Sequence, residues 1–205
     1  MNDQSNKHPS EEPHQVTLLD LEGKITSDSP LELEQYTNLK YIKLGDNQLL
    51  SFPLELTLMT NLEGIDLGNN ELSTLPPEIG RLTNLKWLHI HYNKLTSLPP
   101  EIGHLDQLMN LHLDNNQIGA LPAEIGQLIE LHELSLNNNQ LNSLPPEIGM
   151  LTNLHALHLD QNPLSSFPTE IGLLVNLEFL DIHRTNLPSS EYRKLGWLLQ
   201  DVEII

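Results

Sequence analysis

Histidine and carboxylate side chains recur together along the chain at a spacing that could support chemistry. His89 and His91 are separated by one residue, and His112 and Asp114 lie 23 residues after them. Imidazole and carboxylate groups are ligands for zinc, nickel and copper, and imidazole changes its charge near physiological pH. Ser135 lies 23 residues after His112. Its hydroxyl is a possible nucleophile, so all the residue types that serine hydrolases use are present.

The surroundings of these residues favour neither catalysis nor a dedicated metal site. Ser135 has no glycine elbow around it, and the chain contains no phosphate-binding, zinc-protease or dinucleotide-binding motif. Side chains on a sheet surface splay apart, whereas a tetrahedral metal site needs them to converge. We therefore predict no enzymatic activity, no cofactor and no metal, with a metal- or pH-responsive binding module as the alternative.

A 23-residue period organises almost the whole chain. The asparagine column is Asn47, Asn70, Asn93, Asn116, Asn139 and Asn162, a proline column runs from Pro53 to Pro168, and a glutamate column runs from Glu55 to Glu170. A repeat of this length is one supersecondary unit that cannot bury its apolar face alone. Neighbouring units must therefore stack and share one core.

Each position of the repeat has a physical reading. Leu88 and Ile90 alternate with polar or aromatic positions, which is typical of a half-buried strand. Asn93 falls where the strand ends, and stacked asparagines would form an internal hydrogen-bonded ladder. Pro99 stops strand pairing, and the Pro-Glu-Ile stretch that follows begins a short helical turn, which Gly103 is placed to end at a positive φ. The sequence predicts a parallel sheet on the concave side of a curved solenoid.

The repeat also carries a family resemblance. The unit from Leu85 to Leu105 reads L-x-x-L-x-L-x-x-N-x-L and then L-P-x-x-I-G-x-L. This pattern resembles the leucine-rich repeat family over about Val16 to Trp197, and is similar to the 23-residue intracellular type of bacterial proteins, plant Ras-group proteins and Ras-pathway scaffolds. The resemblance implies an α/β leucine-rich repeat solenoid of about six full repeats, with short helical or 3-10 turns on its convex side. It also implies recognition of a protein partner through the concave sheet.

Alternation along each strand assigns three rows of solvent-facing positions on the concave face. The partner-binding residues that we predict from these rows are Tyr41, Asp66, Trp87, His89, His91, Tyr92, His112, Asp114, His158, Asp160, Phe179, Asp181 and His183. Large exposed aromatic residues are typical binding hot spots, and the carboxylates favour a partner that presents Lys or Arg. We therefore expect a protein partner with a basic or polar surface.

The two ends of the chain depart from the repeat. The predicted divisions are a disordered tail over 1–15, an N-terminal cap with a degenerate first repeat over 16–38, the 23-residue repeats over 39–187 and a helical C-terminal cap over 188–205. Within the last division we predict an amphipathic helix over 189–202. Its apolar spacing places Tyr192 in the core of the cap, and Trp197 occupies a leucine column of the repeat.

Composition limits the partners and the compartment. The 28 acidic and 10 basic residues give a formal net charge of −18, which repels phosphate, so we expect neither nucleic acid nor a membrane as a partner. The absence of cysteine excludes a disulfide framework and is typical of a reducing compartment. With no apolar signal segment or membrane-spanning run, we predict a cytoplasmic monomer. A secreted bacterial effector that binds a host protein is the alternative.

Overall fold

The computed structural model of the protein describes residues 12–25 and 31–205. Within these residues the chain forms a nine-stranded parallel sheet whose strands lie in sequence order. The strands are β1 (Leu18–Asp20), β2 (Tyr41–Lys43), β3 (Gly64–Asp66), β4 (Trp87–His89), β5 (Asn110–His112), β6 (Glu133–Ser135), β7 (Ala156–His158), β8 (Phe179–Asp181) and β9 (Glu203–Ile204). Because each strand pairs only with its sequence neighbours, the coils stack into an open solenoid. The predicted fold class is confirmed.

The repeat period fixes the register of the sheet. Leu88 at the centre of β4 pairs with Leu111 at the centre of β5, one repeat later. The central residue of each repeat strand is buried, as Ile42 and Ile65 show, because alternation turns it toward the interior. The buried leucines and isoleucines of successive coils merge into a continuous core. The residues on either side of each centre are left on the open face.

An internal asparagine ladder joins successive coils, as the sequence predicts. Asn93 is typical, because its Nδ2 donates to the carbonyl of Leu67 at 2.9 Å and its Oδ1 accepts from the N–H of Leu72 at 2.9 Å. Both partners belong to the preceding coil, and Asn93 itself is buried. The ladder satisfies backbone groups that would otherwise be buried without partners.

Short 3-10 helices form the convex side. They span Leu54–Leu58, Pro77–Arg81, Pro100–His104, Ala123–Gln127, Pro146–Met150 and Thr169–Leu173. A proline precedes each of these helices, and a glutamate lies in the first turn of each. A carboxylate at this position complements the unpaired N–H groups of the turn.

Gly103 does not end its turn at a positive φ, so this prediction was wrong. Within the described chain, the glycine with a positive φ is Gly23. A Cβ atom on Gly103 would lie 2.7 Å from the carbonyl oxygen of Glu124 in the next repeat. Glycine is needed at this position because the neighbouring convex turns approach each other closely.

The left-handed region is used instead at the position just before the asparagine column. Asp46, Asn69, Tyr92, Asn115, Asn138, Gln161 and Arg184 have φ values between 50° and 57°. Asparagine and aspartate tolerate this conformation, whereas a bulky residue such as Tyr92 is an outlier there. After each of the strands β2 to β8 the chain therefore turns through a backbone conformation that few side chains adopt comfortably.

At the N-terminal end, Pro13–Gln15 form a 3-10 turn, and the carbonyl of His14 accepts a hydrogen bond from Asn38 Nδ2 at 2.6 Å. Residues 1–11 of the predicted tail and residues 26–30 of the predicted N-terminal cap lie outside the described residues. Among the residues that are described, no helix combines the length and the apolar character that crossing a bilayer requires.

The C-terminal end closes with a helix and a strand. Helix α1 (Ser189–Leu198) ends four residues before the predicted limit, because the chain must turn back to place β9 beside β8. Glu191 accepts the N–H of Phe167 at 3.1 Å, and Lys194 Nζ donates to the carbonyl of Phe167 at 2.6 Å. The N–H of Phe167 and the Lys194 ammonium hold the pKa of Glu191 below its usual value. This clasp ties α1 to the last repeat.

The prediction that the aromatic residues of α1 pack inside the cap was wrong. Trp197 is 79% exposed and Tyr192 is 45% exposed. Leu195 and Leu199 are buried instead, and Leu198 lies against Gly172 of the last convex turn. The helix is rotated so that leucines, which fit the narrow gap beside that turn, face the core.

Candidate functional site

The rows predicted on the concave face are neighbours in the sheet. The first row pairs Tyr41, Gly64, Trp87, Asn110, Glu133, Ala156 and Phe179, and the second pairs Lys43, Asp66, His89, His112, Ser135, His158 and Asp181. The third row, which includes His91, Asp114, Asp160 and His183, follows two residues after the second. The thirteen predicted residues therefore lie on or beside one face.

Two aromatic rings meet at the N-terminal end of this face. The ring centroids of Tyr41 and Trp87 lie 5.7 Å apart, although the residues are on strands separated by β3. Gly64 lies between them, and a Cβ atom there would approach the Tyr41 ring to 2.9 Å and the Trp87 ring to 3.4 Å. The rings close over the space that the missing side chain leaves. We call this group the aromatic platform, which consists of Tyr41 and Trp87 above Gly64.

A second glycine shapes the neighbouring turn in the same way. The His91 ring lies across Gly68, where a Cβ atom would be 2.5 Å from a ring carbon. Tyr92 packs edge-on against His91, with ring centroids 5.7 Å apart, and its side chain is 55% exposed. In the N-terminal half of the face, aromatic rings therefore lie over glycines of the sheet and of the turn that follows it.

The centre of the face holds histidines around one carboxylate. The rings of His89 and His112 are stacked, with centroids 4.4 Å apart. Glu133 Oε1 lies 3.3 Å from His112 Nε2 and 3.7 Å from His158 Nε2, and Glu133 Oε2 accepts a hydrogen bond from Asn110 at 3.1 Å. The sequence prediction placed Glu133 in the first row but not among the binding residues.

The stacked histidines favour an uncharged ring at His89. Burial lowers the pKa of His89, and the neighbouring imidazole of His112 lowers it further, against an opposing effect of Asp66. Burial penalises the charged form, and a nearby like charge adds to that penalty.

The predicted aspartates bond mainly to nearby backbone and side-chain groups. Asp66 Oδ1 accepts the N–H of Gly68 at 2.9 Å, and Asp181 Oδ1 accepts the N–H of His183 at 3.0 Å. Asp160 lies 4.0 Å from the guanidinium of Arg184. Asp66 and Asp181 thereby hold the turns that follow their strands, whereas Asp160 Oδ2 accepts a hydrogen bond from the side-chain amide of Gln161 at 2.9 Å.

Ser135 is not arranged as a nucleophile. Its hydroxyl donates to Asp114 Oδ1 at 2.5 Å, and the same oxygen accepts the N–H of Asn137 at 3.0 Å. A serine nucleophile needs its hydroxyl directed to a base such as histidine. The geometry shows a buried structural hydroxyl instead.

The C-terminal end of the face has a second aromatic contact. The rings of His158 and Phe179 lie 5.2 Å apart and are tilted, and His183 Nδ1 lies 3.9 Å from Asp181. The face is therefore aromatic at both ends and polar in its centre.

The imidazole rings of His89, His91 and His112 do not converge on a common point. The ring centroids of His89 and His91 are 6.5 Å apart, whereas His89 and His112 lie face to face. Stacked rings direct their nitrogens side by side rather than toward one ion. Within the described part of the chain, no group of three histidine, aspartate or glutamate side chains is placed to hold a metal.

A row of ion pairs that the sequence analysis did not single out lies just before the strands β2, β3 and β4 begin. Glu63 lies between Lys40 at 2.6 Å and Lys86 at 2.9 Å. These ammonium groups lower the pKa of Glu63 to about 2. The row follows the period of the repeat, so the alternating charges in the sequence were the available signal.

A second asparagine ladder lies near this row, two positions earlier in each repeat. Asn38, Asn61, Asn84, Asn153 and Asn176 each donate from Nδ2 to a backbone carbonyl 24 residues earlier. Gln107 and Glu130 occupy the two intervening positions of the column. The regular spacing could have revealed this ladder, which is exposed rather than buried.

Comparison with known proteins agrees with this architecture. The leucine-rich repeat family profile matches residues 60–118, and a profile of two leucine-rich repeat copies matches residues 129–171. No curated protein matches the sequence significantly.

Solved structures similar to this chain come from a bacterium and from plants. A leucine-rich repeat protein of Leptospira interrogans has 42% identity and a TM-score of 0.83, with 85% of this chain and 44% of that chain covered. The plant peptide hormone receptor RGFR1 in complex with RGF2 has 30% identity and a TM-score of 0.64, with 86% of this chain and 33% of that chain covered.

A third similar structure is the leucine-rich repeat ectodomain of the membrane receptor kinase GASSHO1/SCHENGEN3 from Arabidopsis thaliana, in complex with Casparian strip integrity factor 2. It has 32% identity and a TM-score of 0.62, with 83% of this chain and 24% of that chain covered. The chain thus spans less than half the length of each of the three proteins. The repeat, the open parallel sheet and these matches together show that the chain belongs to the leucine-rich repeat family.

Proposed function

We propose that the chain is a non-catalytic recognition module that binds a protein partner through its concave face. The observation that carries the proposal is the set of side-chain rows that run in register across the strands. Trp87, His112 and Phe179 are each half-buried on this face and take no part in the core. Rigid aromatic groups held on an open surface are typical of binding hot spots.

The charge of the face favours a basic or polar partner. Asp66, Asp114, Glu133, Asp160 and Asp181 lie in the three rows. The rows hold one lysine, Lys43, among their described residues. Charge complementarity increases the association rate and selects against partners of like charge. Affinity for the partner should therefore fall as the salt concentration rises.

The similar structures support a protein or peptide partner. RGFR1 was solved with RGF2, and the GASSHO1/SCHENGEN3 ectodomain with Casparian strip integrity factor 2. Family and fold are also typical of interaction modules rather than enzymes. This chain covers only part of those receptors.

Affinity capture with matched variants tests this proposal. The concave variant is Trp87→Ala with Phe179→Ala, and the convex control is Glu101→Ala with Glu124→Ala, which changes the 3-10 turns on the opposite side. We expect the wild type and the convex control to capture the same partner, and the concave variant to lose it. Loss with the convex control alone would contradict the proposal.

We further propose that the chain acts as a monomer in a reducing compartment, the cytoplasm of a bacterium. The cysteine-free sequence supports the compartment, and the Leptospira relative supports the source. Cell fractionation and light scattering test these points. Delivery into a host cell as an effector is the alternative, and a secretion assay with residues 1–15 deleted distinguishes it.

A pH-responsive face is a second candidate, favoured by the position of Glu133 between His112 and His158. Imidazole side chains gain charge at mildly acidic pH, and positive charge beside Glu133 would compete with a basic partner for that carboxylate. Partner affinity would then fall between pH 7.5 and pH 5.5, and less so in a His112→Gln, His158→Gln variant. A flat affinity over this interval would exclude this candidate.

A further inference from the structure

We propose that the aromatic platform and Asp66 together form a subsite that receives an arginine side chain of the partner. This inference rests on the proposed function, because it assigns the chemistry of one part of the concave face. Tyr41 and Trp87 supply two tilted ring faces, and Asp66 supplies a carboxylate two residues beyond Gly64 on β3.

The platform is held in place before any partner arrives. The Tyr41 ring is in contact range of Gly64 and of the Trp87 ring, and both aromatic residues are half-buried. Tyr41 Oη also lies 3.4 Å from Glu63, which is itself fixed between two lysines. Ordered side chains lose little entropy on binding, so the rings suit a contact with a flat group.

Asp66 is positioned to complete the site. Gly64 and Asp66 lie on the same face of β3, about 7 Å apart along the strand. Asp66 Oδ1 accepts the N–H of Gly68, whereas Oδ2 has no hydrogen bond to the described residues. Lys43 is its sheet neighbour but forms no ion pair with it in the part of the chain that the structure describes. One carboxylate oxygen is therefore available to an incoming cation.

Arginine matches this combination better than other side chains. Its planar guanidinium stacks on aromatic faces while its N–H groups donate to a carboxylate. An apolar side chain would cover Asp66 without pairing it, and burial of an unpaired charge is costly. An acidic side chain would be repelled by Asp66 and by the net charge of −18. Lysine supplies the charge but not the plane.

Trp87 can report on this site directly. The chain has two tryptophans, and Trp197 is 79% exposed on α1, so Trp197→Phe leaves Trp87 as the only indole without disturbing the core. The probes are four acetylated pentapeptides with amidated ends, which carry arginine, lysine, citrulline or glutamate between pairs of glycines. The indole N–H resonance of Trp87 is followed during each titration.

We expect the arginine peptide to shift the Trp87 resonance saturably. The citrulline peptide has the same shape without the charge, and it should leave the resonance unchanged, as should the glutamate peptide. The lysine peptide should bind about threefold more weakly than the arginine peptide, because it loses the stacking of the guanidinium plane. Equal shifts with citrulline and arginine, or no shift with arginine, would overturn the inference.

Two substitutions separate the contributions of the rings and of the charge. Gly64→Ala keeps both aromatic residues but places a Cβ atom 2.9 Å from the Tyr41 ring, so the platform must open. Asp66→Asn removes the charge and keeps an acceptor for Gly68. Each should weaken binding of the arginine peptide about three- to fivefold, while Phe179→Leu at the far end should have no effect.

Thermal melting of every variant verifies that it is folded, and unchanged arginine binding in both Gly64→Ala and Asp66→Asn would refute the subsite. Failure here is distinguishable from failure of the proposed function. If the concave variant loses the partner but arginine peptides leave Trp87 unaffected, the face binds its partner by other chemistry. If partner capture depends on the convex side, both proposals fail.

Discussion

Asn116→Ala should strongly destabilise the solenoid, because this residue joins two coils through buried hydrogen bonds. Its Nδ2 donates to the carbonyls of Ile90 at 2.9 Å and Leu113 at 3.0 Å, and its Oδ1 accepts the N–H of Leu95 at 2.9 Å. Asn116 is only 7% exposed. Water therefore has little access to the groups that the substitution would leave unpaired.

The magnitude follows from these contacts. A buried hydrogen bond contributes about 1 kcal/mol net, so loss of three predicts about 3 kcal/mol of destabilisation, and more if the freed backbone groups stay dry. Asn84 is the matched control, because its Nδ2 makes one exposed bond to the carbonyl of Thr60 at 2.9 Å. Asn84→Ala should cost about 0.5 kcal/mol.

Equilibrium unfolding in urea, followed by circular dichroism and by fluorescence, measures both variants. The two signals should give the same midpoint if unfolding is cooperative, and a difference between them would show that the array unfolds in parts. A free energy change for Asn116→Ala below about 1 kcal/mol, or equal to that of Asn84→Ala, would refute the assignment of the ladder as the link between coils.

Three further predictions concern other columns of the repeat. Tyr92→Asn should raise the free energy of unfolding by about 0.5 to 1 kcal/mol, because asparagine tolerates a positive φ, and should weaken partner binding; a destabilised variant would contradict the backbone argument. Gln107→Asn should fill a gap in the exposed ladder, which raises the free energy of unfolding by about 0.5 kcal/mol and the melting temperature slightly, whereas Gln107→Ala should raise neither. Glu63→Gln should destabilise the protein at neutral pH. Because the pKa of Glu63 is lowered from 4.5 to about 2, its contribution is complete above pH 4.5 and disappears as the pH falls through 2; a pH-independent difference in urea midpoints would contradict the pairing with Lys40 and Lys86.

The sequence predicted the sheet because every repeat has apolar residues at the same positions and must bury them in the same way. Leu88 and Leu111 occupy the same column, so their strands must pair with an offset of one repeat. The asparagine ladder was predictable for the same reason, because Asn93 and Asn116 recur at the end of each strand. Periodicity of this kind converts sequence position directly into spatial position.

The side-chain contacts on the concave face were less predictable than the sheet. The approach of Tyr41 to Trp87 across β3 depends on the missing side chain of Gly64, and alternation assigns only a face to each residue. Glu133 was left out of the predicted binding set because a single glutamate among polar residues has no distinctive spacing. Glu133 lies between His112 and His158, which are on the strands to either side. This proximity depends on the register of the three strands.

The ends of the chain were the least predictable part, because the period stops there. The apolar residues of α1 fit more than one helical face, and the sequence placed Trp197 inside the cap. The narrow space beside Gly172 admits Leu198 instead, and the return of the chain to form β9 ends the helix early. Such choices depend on the shape of the preceding coil rather than on local pattern.

Site-specific photo-crosslinking tests the central claim most directly. The residue p-benzoylphenylalanine is introduced at Ala156, beside Phe179 in the first row of the concave face, or at Glu124 in a convex 3-10 turn. With the captured partner, we predict a covalent adduct from position 156 and none from position 124. An adduct from the convex position alone would contradict recognition through the concave sheet.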